Sequence, residues 1–214
     1  MDGTKAGMLK ERRTQAERSA ESRSRLVQAA IRLLSTRGYA KASLVEIGKE
    51  AKLSRALVGH HFGSKEACMR SVVSTIREEM TERLFPPNKG KRAPESVLGL
   101  LKMLHDDDAN ARAMLTILVE AVTATPGLRP AVAETNAVIR AGIIESINAE
   151  LAASASAQKV DVQSLAVVIE GILRGVALQW LADPDSIDLQ AVIRMAQSMI
   201  RSQIDAPVRL AKKR

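Results

Sequence analysis

Apolar residues begin to recur at helical spacing from about Arg18 onward. Leu26, Ala29, Ala30, Leu33 and Leu34 stand three and four residues apart, as on a helix with one buried face. Gly38 ends this run, because a glycine just past a helix C-terminus tolerates the backbone reversal needed there. Ser43-Leu44-Val45-Glu46 reads as a capping box that opens a short helix to about Ala51, with Leu44 and Ile47 inward. Lys52-Leu53 is a brief turn, and Ser54 caps a third helix to about His61, with Val58 and Phe62 as its buried face. Gly63-Ser64 breaks and re-caps the chain, and a longer helix runs from Lys65 to about Leu84 with Glu66 near its positive end. The prolines of Pro86-Pro87-Asn88-Lys89-Gly90-Lys91 stop that helix and mark a linker. Further helices are predicted near 93–105, 107–123, 127–153, 161–182 and 187–204, punctuated by Pro126, Pro130, Pro184 and the Ala/Ser-rich stretch 152–157. No strand-like alternation and no internal repeat stands out, so the predicted fold class is all-α.

Composition supports that reading. Hydrophobic residues make up 46% of the 214, enough to bury a core, while aromatics are only 2%. The apolar content is mainly Ala, Leu, Ile, Val and Met, and Ala, Leu and Met favour helices. The net charge of +8 is unevenly placed. Residues 1–66 hold 14 Lys/Arg against 7 Asp/Glu, whereas the remainder holds 18 against 17. A basic first segment on a near-neutral body is the electrostatic footprint of a nucleic-acid binder, although a solubilising tail gives the same charge. Cys68 stands alone, so no intramolecular disulfide can form. The N-terminus lacks an apolar signal core, and no run of 18 apolar residues indicates a membrane span. The expected location is the cytoplasm.

Two short helices joined by a turn and preceded by a longer one make a helix-turn-helix arrangement, in which one helix enters the major groove and another braces it. Gly38-Tyr39, Ser43, Ile47, Ala51, Leu53-Ser54 and His61-Phe62-Gly63-Ser64-Lys65-Glu66, with Ala29-Ala30 and Leu33-Leu34 upstream, resemble the DNA-binding signature of the TetR/AcrR family of transcriptional regulators. The resemblance is specific over about residues 22–70. Beyond residue 85 it is architectural, with Leu178-Gln179-Trp180-Leu181-Ala182-Asp183-Pro184 similar to the penultimate helix of many members. It implies a three-helix helix-turn-helix domain followed by a helical bundle for effector binding and dimerisation. It also implies a homodimer that binds a palindromic operator on double-stranded DNA, acts as a repressor, and is released by a small-molecule effector. By position, Ser43 caps the second helix near a phosphate, and Ser54 and Arg55 begin the recognition helix. Ala56, Leu57, His60 and His61 lie along it, and Lys65 reaches a phosphate from the next helix. Two positions depart from the family pattern: Ala56 where Gly is common, and Gly59 where a backbone-contacting Tyr is common. A helical Gly costs about 1 kcal/mol. A helical regulator that acts through a protein partner, with weak or lost DNA binding, is the alternative.

The expected boundaries are a basic arm at 1–17, the DNA-binding domain at 18–66, the effector and dimerisation domain at 67–208 and a basic tail at 209–214. Segment 187–204 carries an apolar stripe, and segment 161–182 is apolar on more than one face. Such a helix is buried twice, once in its own core and once against a partner. Ile169, Val176, Val192 and Met199 are therefore assigned to a dimer interface of the last two helices. Met103, Met114, Leu118 and Ile143 are candidate walls of an effector pocket, with His105, Glu120, Asn136, Arg140 and Trp180 as further candidates. Glu170 and Arg174 read either as an intrahelical ion pair or as a ligand-recognising pair facing a cavity. His60 and His61 point about 100° apart on a helix and make a poor chelating pair. Cys68 reads as a buried, inert thiol, and Asp106-Asp107-Asp108 as a complement to a helix dipole. No phosphate loop, metal-ligand spacing or nucleophile–base constellation suggests an enzyme, and neither cofactor nor metal is expected.

Overall fold

The computed structural model describes residues 14–86, 101–102, 105–106, 109–153 and 160–205. Among them the chain forms eight α-helices, one 3-10 turn and no strand. The head is α1 (Gln15–Lys41), α2 (Leu44–Ala51) and α3 (Arg55–Phe62), from which α4 (Lys65–Leu84) leads away. The body adds α5 (Ala109–Thr123), a 3-10 turn (Pro126–Leu128), α6 (Arg129–Ala153), α7 (Val162–Ala182) and α8 (Leu189–Asp205). The basic arm to residue 13, the linker from 87 to 91, most of the expected segment 93–105, residues 154–157 and the tail 209–214 lie outside the described residues.

The first helix starts sooner than its apolar stripe suggests. The Thr14 hydroxyl accepts the Glu17 N–H at 3.2 Å, and the Glu17 carboxylate accepts the Thr14 N–H at 2.7 Å. This complete capping box draws residues 15–17, expected in the arm, into α1. At Gly38 the backbone takes φ 74° and ψ 175°, which interrupts the helix before a last short turn to Lys41. The buried surface of α1 is wider than one stripe, since Val27 and Ile31 join the expected residues inside. The reason is tertiary: α1 contacts α2 and α4, and most extensively α5 of the body. The head is thus welded to the body along one helix.

In the head, α2 and α3 approach closely at Gly48, where a Cβ would stand 3.0 Å from Val58 Cγ2 and 3.2 Å from the Leu53 carbonyl oxygen. The turn between them is closed by Lys52 in the left-handed region (φ 54°), whose N–H reaches back to the carbonyls of Gly48 and Lys49. At the far end of α4, Phe85 packs against α6, where a Cβ on Gly142 would stand 2.7 Å from its ring.

The last two helices correct one expectation. Ile169 is 1% exposed and belongs to the chain's own core, because it lies on the inward side of α7 with Ala166, Leu173 and Ala177. Val176 and Val192 are half-buried. The outward apolar positions are Val167, Val168 and Leu178 on α7 and Met195 and Met199 on α8. Although it has no unbroken apolar run of 18, α7 is long and apolar enough to cross a membrane by length and composition. At its middle, however, Glu170 is buried and ion-paired to α6.

Candidate DNA-reading surface and effector cavity

The hydroxyl of Ser54 accepts the Leu57 N–H at 3.2 Å and so starts α3 where the capping pattern places it. Val58 and Phe62 are buried, and this rotates Arg55, Ala56, Gly59 and His60 to the solvent side, with Leu57 half-buried beside them. No side-chain bond holds the Arg55 guanidinium among the described residues. Beyond Gly59 lies open space. The exposed edge of α3 is therefore low, with one long cation at its start and an imidazole near its end. Ser43 performs half of its expected box. Its hydroxyl accepts the Glu46 N–H at 3.2 Å, but the Glu46 carboxylate takes the Lys49 ammonium at 2.7 Å instead of reaching back.

Two assigned DNA contacts face elsewhere. His61 turns toward α1, where Nε2 and the Ser22 hydroxyl are 2.7 Å apart. Burial pushes its pKa below the ordinary histidine value, and neighbouring His60 and Arg23 push the same way. Lys65 donates from Nζ to the Tyr39 carbonyl at 2.6 Å and sits 3.8 Å above the Tyr39 ring. Burial lowers its pKa, partly offset by Glu120. Spacing places both residues on the right helices but not their side-chain directions, which follow from the packing of α3 and α4 on α1. Lys65→Ala is expected to reduce stability by about 1 kcal/mol, a typical hydrogen bond, in urea unfolding. The salt dependence of DNA binding should stay as it was. A slope smaller by about one would restore Lys65 as a phosphate contact.

Several bracing residues carry no clear sequence signal. Arg25 donates to the Ala51 carbonyl at 2.7 Å, and Arg32 pairs with Glu50 at 3.1 Å, which straps α1 to the end of α2. Arg23 donates to the Ser71 hydroxyl at 2.8 Å and lies over the Phe62 ring. These bonds consume cations of the basic head, so its +7 charge overstates what is left for a polyanion. Glu120 also lies at this junction: it accepts the Thr125 hydroxyl at 2.7 Å, and its charge is felt by Tyr39 and Lys65.

The body encloses a cavity of about 50 Å³ between α4, α5, α6 and α7. Of the expected effector residues, Met114, Leu118, Ile143, Glu170 and Arg174 line it. Asn136 and Arg140 stand behind the charged pair and bond to it. The Glu170–Arg174 pair is intrahelical at 2.6 Å and also faces the cavity, so both geometries read from the sequence are present. Glu120, His105 and Trp180 are not on its wall, and the last two form a ring contact at 6.1 Å. Met103 is outside the described residues. Met80 and Leu84 of α4, Phe85 at its end, Ala111 and Leu115 of α5, Thr135 and Ile139 of α6 and Leu173 of α7 complete the wall, and nothing in the sequence separates them from ordinary packing positions. Cys68 is buried among apolar neighbours, which pushes its thiol up to about 12 and keeps it protonated.

Comparison with known proteins agrees with this geometry. The family described as bacterial regulatory proteins, tetR family, matches residues 26–72, and the BetI-type transcriptional repressor C-terminal family matches residues 91–205. The HTH-type transcriptional regulator CymR of Pseudomonas putida is 27% identical over 183 residues, covering 83% of this chain and 88% of CymR. The HTH-type regulator HbdR of Aromatoleum sp. is 28% identical over 88 residues, 39% of this chain and 38% of HbdR. A TetR-family regulator from Rhodococcus sp. superposes with a TM-score of 0.75 at 19% identity, covering 86% of this chain and 99% of its own. The multidrug binding protein EbrR, solved with imidazole, superposes at 0.61 and 21% identity, covering 87% and 97%. The head matches one family, more than half of the chain matches the other, and the described helices superpose on a solved member: this protein belongs to the TetR family of DNA-binding transcriptional regulators.

Proposed function

We propose that this protein is a homodimeric repressor that holds a palindromic operator with α3 of each head and releases it when a small molecule fills the body cavity. One observation carries the reading: the cavity is walled by Met80, Leu84 and Phe85 at the end of α4, the helix that leads out of the head. A ligand that moves this end changes the angle of the heads through α4, and through α5 on α1. Two recognition helices meet successive major grooves only when they stand about 34–36 Å apart, so a small rotation suffices to break the match. The ligand must prefer the released state, and complete switching from 1:99 to 99:1 takes about 5.5 kcal/mol of preference. The BetI-type repressor match over the body supports repression as the sign of control.

The operator is found by sequencing genomic DNA retained by the purified protein, and the effector by a thermal-shift screen followed by operator release. Within this reading Arg55 contacts base edges. Arg55→Ala is expected to cost about 1–3 kcal/mol and to relax the preference at one operator position. Unchanged binding to both operator and random DNA would remove Arg55 from the interface. Filling the cavity by Leu118→Trp should leave operator binding intact and abolish release. If every stabilising compound leaves the operator bound, ligand control fails.

A further inference from the structure

The cavity wall is chemically lopsided. Glu170 is the sole carboxylate among the lining residues and is 4% exposed. Both its oxygens are engaged. Arg174 Nη2 donates to Oε1 at 2.6 Å, and Arg140 Nη2 donates to Oε2 at 2.9 Å. Arg174 Nη2 also donates to the Asn136 side-chain oxygen at 2.7 Å. Two guanidinium groups therefore share one carboxylate, and the cluster holds one more positive charge than negative. Arg140 is 35% exposed and can be solvated, whereas Arg174, 26% exposed, lines the cavity. The Nε and Nη1 groups of Arg174 have no partner among the described residues. The other polar lining group, Thr135, gives its hydroxyl to the Ala131 carbonyl at 3.0 Å. The rest of the wall is apolar, Met114 and Leu118 of α5 among it.

From this geometry we infer that the cavity takes a small anionic amphiphile, a carboxylate on a short aliphatic body, with the anionic group on Arg174 and the body against Met114 and Leu118. The inference rests on the reading of this cavity as the effector site. A largely buried guanidinium in excess of its counter-charge is incompletely solvated, and an anion that accepts its free N–H groups removes part of that cost. Burial already depresses the pKa of Arg174. Glu170 opposes that shift and Arg140 adds to it. A cation finds the reverse situation, since both carboxylate oxygens are already paired with guanidinium groups and the surplus charge repels it. Neutral polar ligands gain only the weaker, uncharged hydrogen bond. At about 50 Å³ the cavity holds a few waters and so a short chain, with Met80 and Met114 able to shift for a longer one.

The probes are four unbranched six-carbon compounds: hexanoate and its neutral isostere hexanamide, with 1-hexanol and hexylamine, titrated calorimetrically into the full-length protein near neutral pH. Hexanoate is expected to bind at least tenfold more tightly than hexanamide or hexanol, with hexylamine weakest. Arg174→Gln should erase that advantage and leave hexanamide within about twofold, and Arg174→Lys should restore part of it. Equal or tighter binding of hexanamide or hexylamine overturns the inference, as does absence of binding by all four. If Arg174→Gln fails to fold, the series on the unaltered protein decides alone. The two readings fail separately. A neutral compound that binds as well and releases the operator leaves the effector site standing without its anion preference. Selective hexanoate binding that leaves the operator bound keeps the anion site and removes the effector role.

Discussion

A protein carrying Val168→Glu and Met199→Glu is expected to sediment as a monomer and to bind its operator about 100-fold or more weakly. Val168 is 55% exposed and Met199 53% exposed, so neither substitution disturbs the chain's own core. Val168, Gly171, Gly175 and Leu178 follow one another at helical spacing along α7, and a Cβ on either glycine meets nothing within 4 Å. Among the described residues this stripe has no partner within the protomer, and its glycines let another helix approach closely. The proposed four-helix interface, α7 and α8 from each of two copies, would cover it. Carboxylates placed there lose their water on association and face each other across the two-fold axis. The loss on DNA follows from geometry, because the second head of a dimer binds at an effective concentration that a lone head cannot match. Sedimentation velocity and operator titration check the two halves of the result. An unchanged dimer at micromolar concentration would place the interface elsewhere. Val192, although on the predicted stripe, is the poorer choice for this test because it is half-buried in its own protomer.

Removal of the buried carboxylate has the other large effect. Glu170→Ala leaves Arg140 and Arg174 facing each other with no counter-charge between them. Breaking a fully buried pair costs about 3–5 kcal/mol, and the partial exposure of both arginines brings the expected loss to about 2–3 kcal/mol. Urea unfolding at constant m-value measures it. The double change Glu170→Leu with Arg174→Leu should recover most of that loss, since Arg140 can turn to solvent and the two apolar side chains fill the space. A loss under about 0.5 kcal/mol for Glu170→Ala would mean that the cluster is well hydrated and that Glu170 does not act as a buried counter-charge.

The legible parts of the chain are those governed by neighbours a few residues away. The caps at Ser43, Ser54 and Ser64 and the apolar spacing place α2, α3 and α4 within a residue of their observed ends. Thr14-x-x-Glu17 carried the same capping signal, and the apolar stripe drew the start of α1 away from it. The inward face of α3 is equally legible, since Val58 and Phe62 are four apart, and with it the outward position of Arg55. The directions of His61 and Lys65 are not, because each is set by a residue at least 26 positions away in sequence, Ser22 and Tyr39. Ile169 was misassigned for a related reason. On a helix apolar all round, period alone does not tell the inner face from the outer one.

The same division runs through the candidate site. Met114, Leu118, Glu170 and Arg174 could be singled out one by one, but only as members of a large set of plausible pocket residues. The fold selects among them by bringing α4, α5, α6 and α7 around one space, which leaves Trp180, His105 and Glu120 outside it. By itself the sequence determined helices, their caps, the helix-turn-helix and its basic charge, because hydrogen bonds and amphipathic period act over three or four residues. Only the tertiary structure decided which cations remain free on the head, which side of α7 is open to a partner, and that Arg140, from 30 residues before Glu170, leaves the cavity one positive charge in excess. Those outcomes depend on contacts between distant segments, where burial and charge balance are settled by packing rather than by spacing.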